Sequence, residues 1–401
     1  MINKISYNFA KELNESVNRT DHISGYTHNF YNYPARFSPL FARTVIKIFS
    51  RPGDLIFDPF MGGGTTIVEA MVLGRNAVGT DINSLSKFIT EVKTTILNEK
   101  EQQEILEFMQ SLLEELNIRS NVERDIYWIE RGYQKNINCR KTWRIRKTIE
   151  QIIEQTREKI GLQKQSNFIR GVLLKTSQWA FDTKKEVPRV RDFKDKLYQN
   201  TIEMIASIKK LGKSMQSQNS HQYNQNIIQL FNRSVVGIES DKIFHDKNRP
   251  NLILTSPPYP GVHVLYHRWQ LFGGKETPAP YWIVNSFDGK SENFYTFGGR
   301  KKAGIERYFY NAQYSFESIS NISRSGTILI QLVGFSRPIE QLPRYLSILE
   351  SVGFREIKIK YNFPTTNENR IWRTIPNRKW YADIKGNTKS SSEVLLIHIK
   401  E

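Results

Sequence analysis

Three short stretches bring together residue types that can do chemistry: DPFMGGGTT at 58–66, an aspartate at 81, and TSPPY at 255–259. Gly62, Gly63 and Gly64 let the backbone approach a ligand closely, because glycine has no Cβ and reaches left-handed conformations. No lysine follows the glycines, so the stretch is not a P-loop, and it lacks the third glycine of GxGxxG. Asp58 ends the strand before the turn, at the edge where α/β sheets bind ligands. Asp81 lies 23 residues further on, where an acid can accept hydrogen bonds from the two hydroxyls of a ribose. TSPPY ends the apolar run NLIL with two prolines that cannot donate to a sheet ladder. The strand has to stop there, in a rigid, carbonyl-rich corner flanked by Ser256 and Tyr259. Each stretch also has a plainer reading: a tight βα turn, a helix cap before INSLS, and punctuation by Pro-Pro. Together, the glycine turn and the spaced acid suit an adenosine-containing cofactor without a pyrophosphate, a description that fits S-adenosylmethionine.

The elements that must position these residues can be read from hydrophobic pattern. DLIFDPF (54–60) is a short apolar strand, IVEAMVLG a helix, and NAVGTD (76–81) a second strand. Strand, turn, helix and strand within about 30 residues make a βαβ unit and imply a parallel sheet. Upstream, YNYPARFSPLFARTVIKIF (31–49) reads as an extended piece followed by an amphipathic helix. Residues 86–212 carry helical patterns, with apolar positions three and four apart, and no strong strand signal. SMQSQNSHQYNQN (214–226) is a polar link. Strand signals resume at VVGIE (235–239), NLILT (251–255), TILIQLVG (327–334), FREIKIKYN (354–362) and EVLLIHI (393–399), with a helix, IEQLPRYLSILESVG, before the sixth strand. The simplest assembly is one α/β sheet domain, 1–95 and 230–401, interrupted after its second strand by a basic helical insertion, 96–229.

Charge points to a partner. The chain of 401 residues has a formal net charge of +18. Residues 119–213 hold 23 Lys+Arg against 11 Asp+Glu, which places +12 of that charge in under a quarter of the chain. Such a balance implies a polyanion, and without a lipidation motif or a separate basic tail nucleic acid is favoured over a membrane. No run approaches the ~18 apolar residues of a membrane span, and the N-terminus lacks the apolar core of a signal peptide. A single cysteine, Cys139, excludes an intrachain disulfide framework and fits a reducing cytoplasm. Cations mix with aromatics in KTWRIRK (Arg144, Arg146, Lys147), in 171–193 (Lys184, Lys185), in 263–283 (His263, His267, Arg268, Trp269) and in 370–386 (Arg370, Trp372, Arg373, Arg378, Lys379, Trp380, Tyr381). These side chains could hold phosphates and stack on bases; the alternative is tryptophan in the core and arginine in solvent. His263 and His267 lack the glutamate of HExxH and are not read as a metal site.

The paired motifs resemble those of S-adenosylmethionine-dependent DNA amino-methyltransferases, the N4-cytosine and N6-adenine family, over about 31–95 and 230–399. The family's Phe-x-Gly-x-Gly is matched by Phe60, Gly62 and Gly64, and its [Ser/Asp/Asn]-Pro-Pro-aromatic motif by Ser256, Pro257, Pro258 and Tyr259. YPARFSP (33–39), with Tyr33 and Phe37, resembles the segment that contacts the methionine part of the cofactor. The resemblance implies a Rossmann-like seven-stranded methyltransferase sheet. It implies a cofactor cradle of Tyr33, Phe37, Asp58, Phe60, Gly62, Gly64, Thr65, Asp81, Asn83 and Thr255, with Asp241 in GIESDKI at the adenine ring. An exocyclic base amine is a poor nucleophile because its lone pair is delocalised into the ring. Acceptors aimed at its hydrogens, here the Pro257 carbonyl and Ser256 Oγ, would localise that pair for attack on a methyl group. Tyr259 offers a flat face to a base turned out of the duplex. A serine at the first motif position resembles the N4-cytosine branch. Adenine N6, an RNA base amine and a catalytically silent nucleic-acid-binding subunit stay open. Cytosine C5 chemistry needs a thiolate, and Cys139 sits in a helical basic context. The implied partners are double-stranded DNA with a flipped target base and a cognate restriction endonuclease, with the helical insertion, placed earlier in the chain than the family's target domain, reading DNA.

Overall fold

A computed structural model of the chain describes residues 5–19, 25–34, 36–119, 126–218, 227–245, 248–261, 268–287, 295–299, 301–374 and 392–401. Helices α1 (Tyr7–Asn18) and α2 (Pro39–Phe49) precede strand β1 (Leu55–Asp58). Helix α3 (Thr65–Val72), strand β2 (Asn76–Asp81) and helix α4 (Ser84–Thr94) follow. Then come α5 (Glu99–Glu115), α6 (Ile126–Glu130), α7 (Trp143–Lys159), α8 (Gln163–Phe181) and α9 (Val190–Gln218). Strands β3 (Ile228–Asn232) and β4 (Leu252–Thr255) return to the sheet, and a hairpin of β5 (Trp269–Leu271) and β6 (Lys275–Thr277) leads to α10 (Ala279–Val284). The chain ends with α11 (Lys302–Ile322), β7 (Ile328–Gly334), α12 (Pro338–Ser351), β8 (Phe354–Glu356), β9 (Thr366–Asn367), β10 (Arg370–Thr374) and β11 (Ser392–Lys400).

Among the described residues the main sheet has nine strands, in the order β3-β2-β1-β4-β7-β11-β10-β9, with β8 also paired to β11. Strands β3, β2, β1, β4 and β7 are mutually parallel, and β11 runs antiparallel to β7. The fold is therefore α/β with a mainly parallel central sheet, with nine strands where seven were expected. The third strand is Ile228–Asn232 instead of VVGIE, because Gly237 takes a left-handed φ of +78° and 238–240 curls into a 3-10 turn. Of FREIKIKYN only Phe354–Glu356 forms a ladder. From β1 the chain moves one way to β2 and β3, then crosses back to β4. Neighbouring β1 and β4 thus mark a topological switch point, the place where open α/β sheets leave a crevice at their carboxyl ends.

Packing secures that edge. Helix α2 starts on Ser38, whose Oγ accepts from the Leu40 N–H at 3.2 Å, with Pro39 in the first turn. Its Phe41, Val45 and Ile46 join Ile67 and Ala70 of α3 on one sheet face, while Phe316, Ile319, Tyr345 and Leu349 of α11 and α12 cover the other. A third core, with Ile105, Met109, Ile149, Phe168 and Leu197, is continuous with Phe88 and Ile89 of α4 and with Tyr281–Val284 of α10. The helical stretch therefore rests on elements from both flanking parts of the chain. Gly171 permits this contact, since a Cβ there would lie 2.8 Å from Val92 Cγ1.

Candidate active site

Four segments reach the carboxyl edge at the switch point: 59–62 after β1, 81–83 after β2, 233–236 after β3, and 256–258 after β4. With Tyr33, Tyr295, Thr296, Phe297, and Asn311 and Ser315 of α11, they line a cavity of about 320 Å³, within the ~300–1,000 Å³ of small-ligand sites.

The glycine turn forms one wall. Gly62 has φ +47°, and its N–H donates to Asp81 Oδ2 at 2.9 Å. A Cβ on Gly62 would sit 3.3 Å from the Tyr33 ring, and one on Gly63 would sit 3.0 Å from Tyr33 Cβ. Beneath the turn, Lys93 is fully buried and donates to the Gly63 carbonyl at 2.7 Å; burial pushes its amine well below the ordinary lysine range. Asp81 Oδ1 accepts from the Asn83 N–H at 2.8 Å. Burial pushes the Asp81 carboxyl up, against the bonds from Asn83 and Gly62. Each carboxylate oxygen has a second lone pair, so further hydroxyl donors at this wall would favour the charged form. Asn83 caps α4 through Leu85 N–H at 3.0 Å, accepts from the Tyr281 hydroxyl at 2.9 Å and donates to Tyr33 Oη at 3.1 Å.

The prolyl corner contributes Ser256 and Pro258 to the lining, whereas Pro257 and Tyr259, expected to act there as well, are not among the lining residues. Ser256 Oγ lies 3.0 Å from both the Leu332 carbonyl and the Tyr259 hydroxyl. Tyr308, fully buried on α11, donates to the Pro258 carbonyl at 2.8 Å. Behind the corner, Thr255 Oγ1 donates to Asp58 Oδ1 at 2.7 Å, joining the ends of β4 and β1. Burial raises the Asp58 carboxyl to about 6, against bonds from Thr255, Thr66 and Phe60.

Of the residues expected to hold a cofactor, Tyr33, Phe60, Gly62, Asp81 and Asn83 line the cavity together with Ser256 and Pro258. Phe37, Asp58, Gly64, Thr65, Asp241 and Thr255 do not. Phe37 packs edge-on against Phe41 in the core. Asp58 and Thr255 face each other. Gly64 begins α3 with φ +74°, and a Cβ there would lie 2.5 Å from Thr90 Oγ1; buried Thr65 follows it. Asp241 accepts from the Ile243 N–H at 3.1 Å, and the place expected for it belongs to 233–236, because β3 ends earlier than the sequence pattern indicates. Sequence reasoning missed this loop, residues 295–297, and Asn311 and Ser315. The last two sit three and seven positions after Tyr308 on one helix face, a spacing that signals a face but not a ligand.

Among the cationic and aromatic candidates, Arg144, Lys184 and Lys185 are exposed and Lys147 is half-buried. Arg146 is buried and bonded to Glu150, and buried Trp269 donates to the Tyr31 hydroxyl at 3.0 Å; in this fold both serve packing instead of a surface. Arg268 pairs with Glu276 at 3.3 Å, Arg370 with Glu356 at 2.5 Å and Arg373 with Glu393 at 2.6 Å. Trp372 packs against the core beneath α11 and α12. His263, His267, Arg378, Lys379, Trp380 and Tyr381 lie outside the described residues. No helix among the described residues is long and apolar enough to cross a membrane.

Comparison with known proteins bears on the first part of this site. Residues 6–92 match the family model described as DNA methylase, of the N6/N4 type. The Type II methyltransferase M.MjaII of Methanocaldococcus jannaschii is 37% identical over 90 residues, 22% of this chain and 16% of that protein. M.MvaI of Kocuria varians, also a Type II methyltransferase, is 31% identical over 105 residues, 23% of each chain. The matched stretch thus spans under a quarter of the curated relatives' length. An rRNA methyltransferase, aviRa from Streptomyces viridochromogenes, covers 92% of this chain and 89% of its own at 7% identity and a TM-score of 0.36, a likeness too loose to argue from.

Proposed function

We propose that this chain transfers a methyl group from S-adenosylmethionine to an exocyclic amine of a base in double-stranded DNA, with cytosine N4 the target, a reading supported by the match of residues 6–92 to the N6/N4-type DNA methylase model. One observation carries the reading: Ser256 and Pro258 of the prolyl corner line the same cavity as Gly62 and Asp81. Tyr33, Phe60, Gly62, Asp81 and Asn83 fit an adenosine-type cofactor. Gly62 lines the cavity without a side chain, and Asp81 retains lone pairs for ribose hydroxyls. S-adenosylmethionine, when bound, supplies an electrophilic methyl group on its sulfonium. The chain supplies the rest. Ser256 Oγ and the Pro257 carbonyl accept the hydrogens of the base amine, drawing its nitrogen toward tetrahedral geometry and localising its lone pair. Preorganised acceptors of this kind lower a barrier by several kcal/mol. Tyr259 provides the stacking face for the flipped base. Exposed Arg144, Lys184 and Lys185 hold DNA phosphates, and a restriction endonuclease is the expected partner in the cell.

Mass spectrometry of nucleosides from DNA of cells expressing the chain tests this directly. N4-methylcytosine is expected, falling at least about 100-fold with Ser256→Ala. N6-methyladenine in its place would move the target to adenine. Label transferred only to tRNA would reject the DNA substrate.

A further inference from the structure

Helix α11 runs along the cavity and is tied down at both ends of that stretch. Tyr308 donates to the Pro258 carbonyl of the prolyl corner at 2.8 Å. Ten positions on, Ser318 Oγ accepts from the Gly237 N–H at 3.0 Å, in the loop after β3. Asn311 and Ser315 fall between these two on the same helix face, and both line the cavity.

Their polar atoms are uncommitted. Asn311 Nδ2 donates to the Phe297 carbonyl at 2.7 Å. That carbonyl can only accept, so the amide nitrogen is the atom that faces it. Asn311 Oδ1, with two lone pairs, then has no hydrogen-bond partner among the described residues. Ser315 is 2% exposed, and its hydroxyl also makes no hydrogen bond among the described residues. Polar atoms held in a cleft cost free energy unless something entering it supplies their partners. Apolar groups flank them. The Phe60 and Phe297 rings meet edge to face at 5.4 Å, and Val235 and Val236 come from the loop after β3. Apolar walls with a polar edge suit a heteroaromatic ring. Asp81, read as the ribose acceptor, stands beside Asn232 where β2 and β3 end. The loop 233–236, and the face of α11 that Ser318 holds against it, are therefore within reach of a base joined to that ribose.

We propose that Asn311 and Ser315 are specificity-determining residues for the adenine of the cofactor: Asn311 Oδ1 accepts from its exocyclic amine, and the Ser315 hydroxyl bonds a ring nitrogen. This deepens, and rests on, the reading of the cavity as a cofactor site. It gives to α11 the contact that the sequence pattern assigned to Asp241.

The test uses the full chain and two probes, with Kd measured by calorimetry. One is S-adenosylhomocysteine; the other is its analogue with unsubstituted purine in place of adenine, which lacks the amine. Wild type should bind the first about 10-fold more tightly. In Asn311→Ala that preference should shrink to within about two-fold, because the acceptor of the amine is gone. Slackening of 295–297 after loss of the Phe297 bond weakens both probes alike and leaves the ratio untouched. Ser315→Ala breaks no side-chain hydrogen bond among the described residues. Its Kd for S-adenosylhomocysteine should rise about 5-fold with the ligand-free Tm unchanged. Equal binding of the two probes by wild type, a 10-fold preference that persists in N311A, loss of both probes from N311A, or an unchanged Kd in S315A would each overturn the inference alone. A wild type that binds neither probe, with or without DNA, overturns the cofactor site and this inference with it.

Discussion

At the residue scale the site is held by buried polar groups whose charge depends on their neighbours. Asp58 is 2% exposed, and burial raises its carboxyl from 3.8 to about 6. The native state then binds this proton more tightly than the unfolded chain. Its contribution to stability is fullest below pH ~4 and declines as pH rises through ~6, amounting to about 3 kcal/mol. Asp58→Asn removes the titration and still accepts from Thr255 Oγ1. Urea unfolding should favour the variant by about 2–3 kcal/mol more at pH 7.5 than at pH 4.5; an equal difference at both pH values would mean that Asp58 titrates normally. That Asp58 and Asp81 end successive strands was legible in the sequence. That one faces Thr255 and the other the cavity was not, because side-chain direction follows from how β1 pairs with β4.

At the scale of elements, the turn between β1 and α3 shows what local pattern can and cannot reveal. Three consecutive glycines announce close approach, but not of what. Gly62 and Gly63 make room for Tyr33, whereas Gly64 makes room for Thr90 of α4. Gly64→Ala places a Cβ on a left-handed residue 2.5 Å from Thr90 Oγ1, which should cost about 2–5 kcal/mol of unfolding free energy. Adding Thr90→Ala removes the Oγ1 and Cγ2 contacts, leaving Cβ at 3.0 Å, and should recover about 1–2 kcal/mol of the deficit; denaturant titration of both variants measures it, and strict additivity would place the strain elsewhere. A similar limit applies to β3. VVGIE has the composition of a strand, but Gly237 turns the chain there, and pairing with β2 selects IQLFN.

At the scale of the molecule, charge was the most legible property. The excess of +18 is independent of conformation, and residues 119–213, within the helical stretch between β2 and β3, carry +12 of it. Which cations face outward is a matter of packing: Arg146 is bonded to Glu150 inside the helical core, while Lys184 and Lys185 stand in solvent between α8 and α9. If those two lysines hold phosphates, Lys184→Gln/Lys185→Gln should weaken binding to duplex DNA of any sequence. The slope of log K against log salt should fall in magnitude by about 1–2, with the cofactor Kd unchanged. An unaltered slope in a fluorescence-anisotropy titration would remove this surface from the interface.

The sequence by itself determined the chemistry available: a glycine turn, a strand-end acid and a prolyl corner, each specified by side-chain type and by short-range backbone rules. It also determined the α/β class, through the βαβ spacing, and the chain's own net charge of +18. Only the tertiary structure decided that strands 196 positions apart in register, Ile56 beside Leu252, lie side by side, so that Gly62 and Ser256 face one cavity. It alone brought Glu393 to Tyr259 across 134 positions. Contacts of that separation arise from strand pairing and sheet twist, which no local pattern encodes.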